Sequence, residues 1–208
     1  TRDSINLAVN PYWVQIDNSI MNLTAGPVNL GERDIFGFDI HARHLLHLSR
    51  GMHVKLWGFY SFADTRERKF DDNSEPAGEG DIGDIADHKI YLGATGTWEN
   101  DLSATLRGRF VGARKTVDTN PIPKVGSYVT ADLNIHHRSL LHEGVGVALK
   151  VTNLFAAEYF HPGIRDANAG ESPGIWDEDG LWQGSTGWSN SLLPQPGRQV
   201  VLSLVLSY

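Results

Sequence analysis

Nine histidines are the residues of this sequence with the most versatile chemistry, because imidazole binds metals and transfers protons near neutral pH. His136 and His137 are adjacent, so in an extended strand their side chains point to opposite faces and cannot share an ion. His41 and His44 diverge for the same reason, since they are an odd number of residues apart. No HExxH motif occurs, and the sequence contains no cysteine. It therefore predicts no metal site and no cofactor.

Carboxylates concentrate in one acidic stretch, E-G-D-I-G-D-I-A-D at residues 79–87. Its four acidic side chains could bind Ca²⁺, which takes six to eight oxygen ligands. The stretch does not match the twelve-residue EF-hand pattern. A run of charge is usually a solvated loop, and a solvated loop is the favoured interpretation.

Aromatic and charged residues also gather in a long predicted loop, residues 154–197. Tryptophans on a loop without a core to bury them are unusual, and they could stack on a ligand ring or pack against each other. Loops carry binding residues more often than the scaffold does. The candidate ligand-binding residues are His161, Arg165, Trp176, Trp182 and Trp188. No nucleophile elbow, phosphate loop or nucleotide fingerprint accompanies them, so we do not expect an enzyme.

Eight predicted strands must position these residues. The last, at 198–208, reads R-Q-V-V-L-S-L-V-L-S-Y, and side-chain alternation gives it one apolar face and one small, half-polar face. The other seven are predicted at about 5–16, 34–44, 53–63, 88–98, 102–113, 128–137 and 145–153. The mean hydropathy is −0.28 and no run of eighteen apolar residues exists, which argues against a membrane-spanning helix.

The connections between the predicted strands alternate in length. The long ones are 17–33, 64–87, 114–127 and 154–197, and the short turns lie near residues 49, 100 and 141. A soluble sandwich could use the same strands, but it has no reason to alternate its connections. A transmembrane barrel has short turns on its periplasmic side and long loops outside. The sequence therefore predicts an all-β, antiparallel transmembrane β-barrel, with outer-membrane lipid as its surroundings.

Side-chain parity assigns the two faces of this predicted barrel. Residues predicted to face the lumen are Arg107, Arg109, Asp132 and Lys150, and residues predicted to face lipid are Leu106, Leu133 and Leu149. Outward parity also places Phe110, Trp98 and Tyr208 at the membrane boundaries, where aromatic rings prefer to lie. The formal net charge of −7 argues against nucleic acid as a partner.

Two motifs near the end carry a family resemblance. They are V-T-N-L-F-A-A-E-Y-F-H-P-G at 151–163 and L-P-Q-P-G-R at 193–198, and F-G-F-D-I-H-A-R at 36–43 adds to them. Together they resemble the C-terminal part of TonB-dependent outer-membrane receptors. Such receptors are implied to have a barrel of about 22 strands around a plug.

The resemblance implies that residues 1–208 form the C-terminal segment of such a barrel and that the plug domain is absent from this chain. It implies uptake of a scarce solute such as a ferric siderophore, a small-molecule metal chelate. The plug domain and the TonB system are the implied partners, and Tyr208 is the implied assembly signal. The location implied is the bacterial outer membrane.

Two alternatives stay open at this point. Eight strands are enough to close into a small barrel, which would have a structural or adhesive role. An outer-membrane hydrolase is a weaker alternative, because no spacing of serine, histidine and aspartate selects a catalytic triad.

Tyr208 leads to a testable prediction. Deleting it should lower the amount of folded, heat-modifiable protein in the outer membrane more than deleting Thr1 does, because the ring anchors the last strand at the interface. Unheated gels of the two variants measure the difference. Both variants lose one residue, so equal assembly would contradict the role of the ring.

Overall fold

The structure is a computed structural model. It describes residues 4–17, 20–23, 26–29, 31–49, 51–70, 76–117, 120, 122–142, 144–163, 175–176, 182–183 and 191–206. All the regular elements in these ranges are β-strands. Within the same ranges, no helix is long and apolar enough to cross a membrane.

One antiparallel sheet dominates the fold, and its long strands follow each other in space as they do in the chain. They are β1 (Ser4–Ile16), β4 (Glu32–Ser49), β5 (Met52–Phe70), β7 (His88–Trp98), β8 (Leu102–Val111), β11 (Tyr128–His142), β12 (Val145–Thr152) and β17 (Gln199–Leu206). Each of the eight predicted strands is present. In the part of the chain that the structure describes, β1 and β17 do not pair with each other, so the sheet is open. A small closed barrel of eight strands is therefore not formed.

Short strand pairs occupy the long connections. They are β2 (Ile20–Leu23) with β3 (Gly26–Asn29), β9 (Arg114–Lys115) with β10 (Lys124–Val125), β13 (Phe160–Pro162) with β16 (Leu192–Pro194), and β14 (Ile175–Trp176) with β15 (Trp182–Gln183). The ends of the long strands that face these connections form the long-loop end of the sheet. The opposite ends, joined by tight turns, form its short-turn end.

The prediction of a loop over residues 64–87 was wrong for much of its length. β5 continues to Phe70, and β6 (Pro76–Gly80) pairs with its far end. This extension is stabilised by ion pairs across strands, 2.6 Å between Arg33 and Glu67 and 2.5 Å between Arg68 and Glu32. The sequence interpretation failed because it took a high density of charge as the mark of a loop.

The register of the ladder places the apolar side chains on one exposed face, called here the outer face. Leu106 is 51% exposed and Leu202 is 71% exposed. Other large exposed apolar residues of the same parity are Ile5, Leu7, Val9, Trp13, Phe36, Leu56, Leu92, Val129, Val200, Leu204 and Leu206. A continuous apolar face of this extent needs an apolar neighbour, and lipid is the neighbour that the sequence predicts.

The opposite face, called here the inner face, is polar but carries large rings. Tyr12 lies against its register partner Gly37, where an added Cβ would be 2.5 Å from the tyrosine hydroxyl. Trp57 covers Gly93 in the same way, with an added Cβ only 2.2 Å from the indole ring. Glycine therefore lets each ring lie flat on the neighbouring strand, which packs the face without a second layer.

The few fully buried apolar residues lie mainly toward the long-loop end of the sheet. Among the described residues they are Ala63, Ala86, Val111, Val125, Ala131 and Val151. The backbone N–H of Ala63 donates to Asp87 over 3.0 Å, and that of Leu154 donates to Ala131 over 2.7 Å. The long connections are thus packed and hydrogen-bonded onto the sheet, and their positions depend on it.

The two faces predict different tolerances to charge. Leu106→Arg should lower the free energy of unfolding by about 2–4 kcal/mol, because it places a guanidinium on the lipid side near mid-membrane. Thr105→Arg should cost much less, because Thr105 lies on the inner face, where its hydroxyl is 3.1 Å from that of Thr95. Denaturant unfolding in lipid vesicles measures both. An equal loss in the free energy of unfolding for the two variants would contradict the assignment of the outer and inner faces.

Candidate functional site

Arg107 and Asp132 form an ion pair on the inner face. They are register partners on β8 and β11, and Nη2 of Arg107 lies 2.5 Å from Oδ2 of Asp132. The other carboxylate oxygen accepts the backbone N–H of Asn153 over 3.0 Å. The pair therefore joins the sheet to the start of the longest connection.

Asn153 fixes the course of that connection. Its φ of 51° lies in the left-handed region, which asparagine tolerates. Its Oδ1 accepts the backbone N–H of Ala157 over 2.9 Å, and its Nδ2 donates to the carbonyl of Ala157 over 2.8 Å and to that of Pro196 over 3.4 Å. Asn153 thus ends β12 and bonds to nearby backbone groups. It holds both ends of the connection against β12.

Arg109 lies on the inner face, two residues further toward the long-loop end. Its Nε donates to Oγ1 of Thr130 over 3.3 Å, and its Nη2 donates to the hydroxyl of Tyr159 over 3.1 Å. The guanidinium carbon also lies 5.4 Å from the ring centre of Tyr128 and 5.7 Å from that of Tyr159, within cation–π range. A charged residue of the sheet is thereby fixed by a residue of the long connection.

The rings around Arg109 contact one another. Tyr128 and Tyr159 are stacked with 4.3 Å between ring centres, and the hydroxyl of Tyr128 is 3.3 Å from Nε2 of His161. Arg114, which is largely buried, lies 6.0 Å from the Tyr128 ring. These five residues, Arg109, Arg114, Tyr128, Tyr159 and His161, are called here the Arg–aromatic cluster.

A cavity of about 410 Å³ opens beside this cluster. Among the described residues its ionisable lining includes Lys89, Arg109 and Arg114 against a single carboxylate, that of Asp84. Tyr91, Tyr128 and His161 add aromatic surface. Positive charge with aromatic faces suits an anionic ligand that has flat rings.

Burial and charge perturb two groups at the cavity. Burial lowers the pKa of His161, and the positive charges of Arg114 and Arg109 lower it further. Partial removal from water raises the pKa of Asp84, while Arg114 and the backbone N–H of Val117 act in the opposite direction. His161 is therefore favoured as a neutral ring that accepts or donates hydrogen bonds without adding charge.

A second and larger hollow, of about 490 Å³, lies further toward the short-turn end of the inner face. Arg43, Lys55 and Trp57 line it, and His41 packs on Phe59 with 4.8 Å between ring centres. Its described lining comes from the strands β1, β4 and β5. This hollow therefore extends the cationic and aromatic character of the inner face.

The structure brings together only some of the site residues predicted from the sequence. Arg109 and His161 come together in the cluster, and Arg107 with Asp132 lies beside it. Lys150 lies opposite Asn134, closer to the short turns. Trp176 and Trp182 are register partners in the β14–β15 pair, whereas Arg165, Trp188 and Tyr208 lie outside the described residues. Within the described ranges, no three His, Cys, Asp or Glu side chains gather to hold a metal ion.

Sequence reasoning did not select Arg114, Tyr128 or Tyr159. Tyr128 lies on the same face as Thr130, because they are two residues apart in one strand. Thr130 lies opposite Arg109 in the register, so side-chain alternation could have placed Tyr128 on the face of Arg109. Tyr159 belongs to the motif at 151–163, which indicated the family and not a binding residue. Arg114 follows the end of β8, and no pattern in the sequence indicates its burial.

Residues 1–154 match the family model described as "TonB dependent receptor-like, beta-barrel". The match covers well over half of the chain, and the chain belongs to this family. No curated protein matches the sequence.

Solved structures give the same fold. The ferric-catecholate import receptor Fiu from E. coli aligns with a TM-score of 0.63 at 15% identity, over 97% of this chain and 25% of its own. The ferric yersiniabactin uptake receptor FyuA from Yersinia pestis gives 0.64 at 15%, over 98% and 28%. The FrpB iron transporter from Neisseria meningitidis gives 0.61 at 17%, over 98% and 28%.

The chain thus spans little more than a quarter of the length of these proteins. The open antiparallel sheet is part of a larger transmembrane β-barrel, and the predicted fold class is confirmed.

The cluster predicts the protonation of His161. Arg114→Gln should raise the pKa of His161 toward its ordinary value of about 6.5, because one nearby positive charge is removed. Histidine NMR titration measures this, with the exposed Arg66→Gln as a control for charge. In the unchanged protein the lower folded-state pKa means that stability is lost as pH falls below about 6.5. An unchanged pKa in Arg114→Gln would contradict the electrostatic assignment.

Proposed function

We propose that this chain is a segment of a TonB-dependent receptor in the bacterial outer membrane, which takes up a scarce anionic solute such as a ferric siderophore. The observation that carries the proposal is the Arg–aromatic cluster beside a cavity of about 410 Å³. The cluster lies at the long-loop end, which the alternation of connections assigns to the outside of the cell. It is a binding function, and no chemical step on the solute is required.

The charge distribution supports an anionic ligand. The chain carries a formal net charge of −7, yet Lys89, Arg109 and Arg114 outnumber the one carboxylate among the lining residues. A local excess of positive charge in a negative protein concentrates anions at that place. The guanidinium of Arg109 is already oriented by Thr130 and Tyr159, so a ligand need not order it.

The aromatic faces narrow the class of ligand. Tyr128, Tyr159 and His161 provide three rings whose centres lie no more than 6.0 Å from one another. Rings of this kind stack on flat donor groups of a chelate, whereas a small inorganic anion would use only the cations. The three structurally similar receptors are named for ferric catecholate, ferric yersiniabactin and iron, which agrees with a chelate as the solute.

Three charged residues of the inner face suit a plug domain as the second partner. Arg107, Asp132 and Lys150 lie below the cluster toward the short turns. A barrel of about 22 strands has a lumen too wide for its own side chains to fill and holds a plug instead. We propose that these residues contact the plug, on which the TonB system acts from the periplasm.

Binding of radioactive iron complexes to cells tests the proposal. The probes are ferric complexes of a catecholate, a hydroxamate and a carboxylate chelator. Arg109→Gln should weaken binding of the accepted complex by about 10-fold or more, because one charge-assisted hydrogen bond contributes roughly 1.5–3 kcal/mol. Tyr159→Phe removes the hydroxyl that orients Arg109 and should give a smaller loss.

Arg66→Gln is the matched control, because Arg66 is exposed on the outer face of the β5 extension and its nearest acid is 3.9 Å away. It removes the same charge without touching the cavity. Equal losses in Arg109→Gln and Arg66→Gln would contradict a site at the cluster. So would unchanged binding in both variants.

A further inference from the structure

Asn120 is a buried polar residue that no part of the binding proposal uses. It is only 6% exposed, and it lies between β9 and β10. Its Nδ2 donates to the carbonyl of Gly163 over 2.7 Å and to that of Ser191 over 2.8 Å. Its Oδ1 accepts the backbone N–H of Ile122 over 2.9 Å. All the hydrogen-bonding groups of the amide side chain are therefore used.

These hydrogen bonds join segments that are distant in sequence. Gly163 follows β13 and Ser191 precedes β16, so each is far along the chain from Asn120, by 43 and 71 residues respectively. The backbone N–H of Gly163 also donates to Ser191 over 2.9 Å. On the other side, the backbone N–H of Asp84 donates to Lys115 over 2.7 Å. Three connections thus meet around the β9–β10 segment.

The side-chain chemistry of asparagine is required at this position. Two carbonyl oxygens approach Nδ2, and an amide nitrogen supplies two donors while its oxygen supplies an acceptor. Aspartate has the same shape, but its ionised carboxylate has no donor and would meet the two carbonyl oxygens with like partial charge. Alanine would leave the carbonyls of Gly163 and Ser191 without this donor in a buried place, which is costly.

We infer that Asn120 is a positioning residue that holds residues 81–87, the β9–β10 pair and the β13–β16 pair together as one rigid cap over the cavity. Arg114 begins the middle segment, and His161 lies two residues before Gly163. Both cavity residues are therefore placed by the same junction. This inference deepens the proposed binding function, but its test needs no ligand, so the two can fail separately.

Ser191 supplies a matched control at the same junction. It is fully buried, and its hydroxyl has no hydrogen-bond partner among the described residues, whereas its backbone carbonyl accepts from Asn120. Ser191→Ala removes the hydroxyl and keeps the carbonyl. Removing an unpaired buried hydroxyl is nearly neutral, so this variant should keep the cap intact.

The first measurement is the distance between two spin labels in the full-length receptor in lipid. The labels are attached at Asp81→Cys and Leu193→Cys, both on exposed positions of different segments, in a chain that has no cysteine of its own. The distance distribution should be narrow in the parent and in Ser191→Ala, and should broaden clearly in Asn120→Asp. A narrow distribution in Asn120→Asp, or equal broadening in both variants, would overturn the inference.

The second measurement is the titration of His161 by histidine NMR, assigned from the signal lost in His161→Gln. The charged and titratable groups of the cluster are Arg109, Arg114, Tyr128 and Tyr159. Asn120→Asp should move the pKa of His161 upward toward about 6.5 if the cap loosens and water enters. Ser191→Ala should leave it unchanged. Asn120→Ala, which adds no charge, should shift the pKa in the same direction as Asn120→Asp, and an unshifted pKa in Asn120→Ala would count against the positioning role.

Discussion

The continuous ladder of backbone hydrogen bonds from β1 to β17 is the constraint on which the rest of the structure depends. In a bilayer there is no water to satisfy backbone N–H and C=O groups, so they must pair within the sheet. The ladder then fixes the register, and the register fixes which side chains share a face. Leu106 and Leu133 become outward neighbours, and Arg107 and Asp132 become inward neighbours, through the same pairing of β8 with β11. One set of backbone hydrogen bonds therefore creates both the apolar outer face and the charged inner face.

The sequence predicts this part of the fold well, because alternation has a period of two and is visible in a single strand. It predicts the Arg–aromatic cluster poorly. Arg109 and Tyr159 are 50 residues apart and meet because the chain turns at Asn153 and continues along β11 toward β8. The charged end of β5 was misassigned for a different reason. Beyond the bilayer the outer face of a strand need not be apolar, so the ion pair of Arg68 with Glu32 on that face replaces the hydrophobic pattern as the sign of pairing.

Two side-chain amides connect described parts of the long connections. Asn153 bonds to Ala157 and Pro196, near the two ends of the longest connection, and Asn120 joins Gly163 and Ser191 of the same connection to the β9–β10 segment. Both amides act on backbone carbonyls, so they constrain the path of the chain rather than a single side chain. A substitution of Arg114 or His161 would therefore change the chemistry of the cavity and leave these backbone contacts in place.

The two edges of the sheet explain why these strands belong to a larger barrel. In the described part of the chain, β1 pairs only with β4 and β17 only with β12, so each has one side without a neighbour. Within a membrane each unpaired backbone group on such an edge costs several kcal/mol, and an edge of eight or more residues is therefore not tolerated in lipid. The solved receptors extend far beyond the part that this chain covers, which is little more than a quarter of their length, so a chain of that length has room for strands that supply those neighbours. Closure by additional strands therefore removes the edges and, by widening the lumen, creates the space that the charged inner face surrounds.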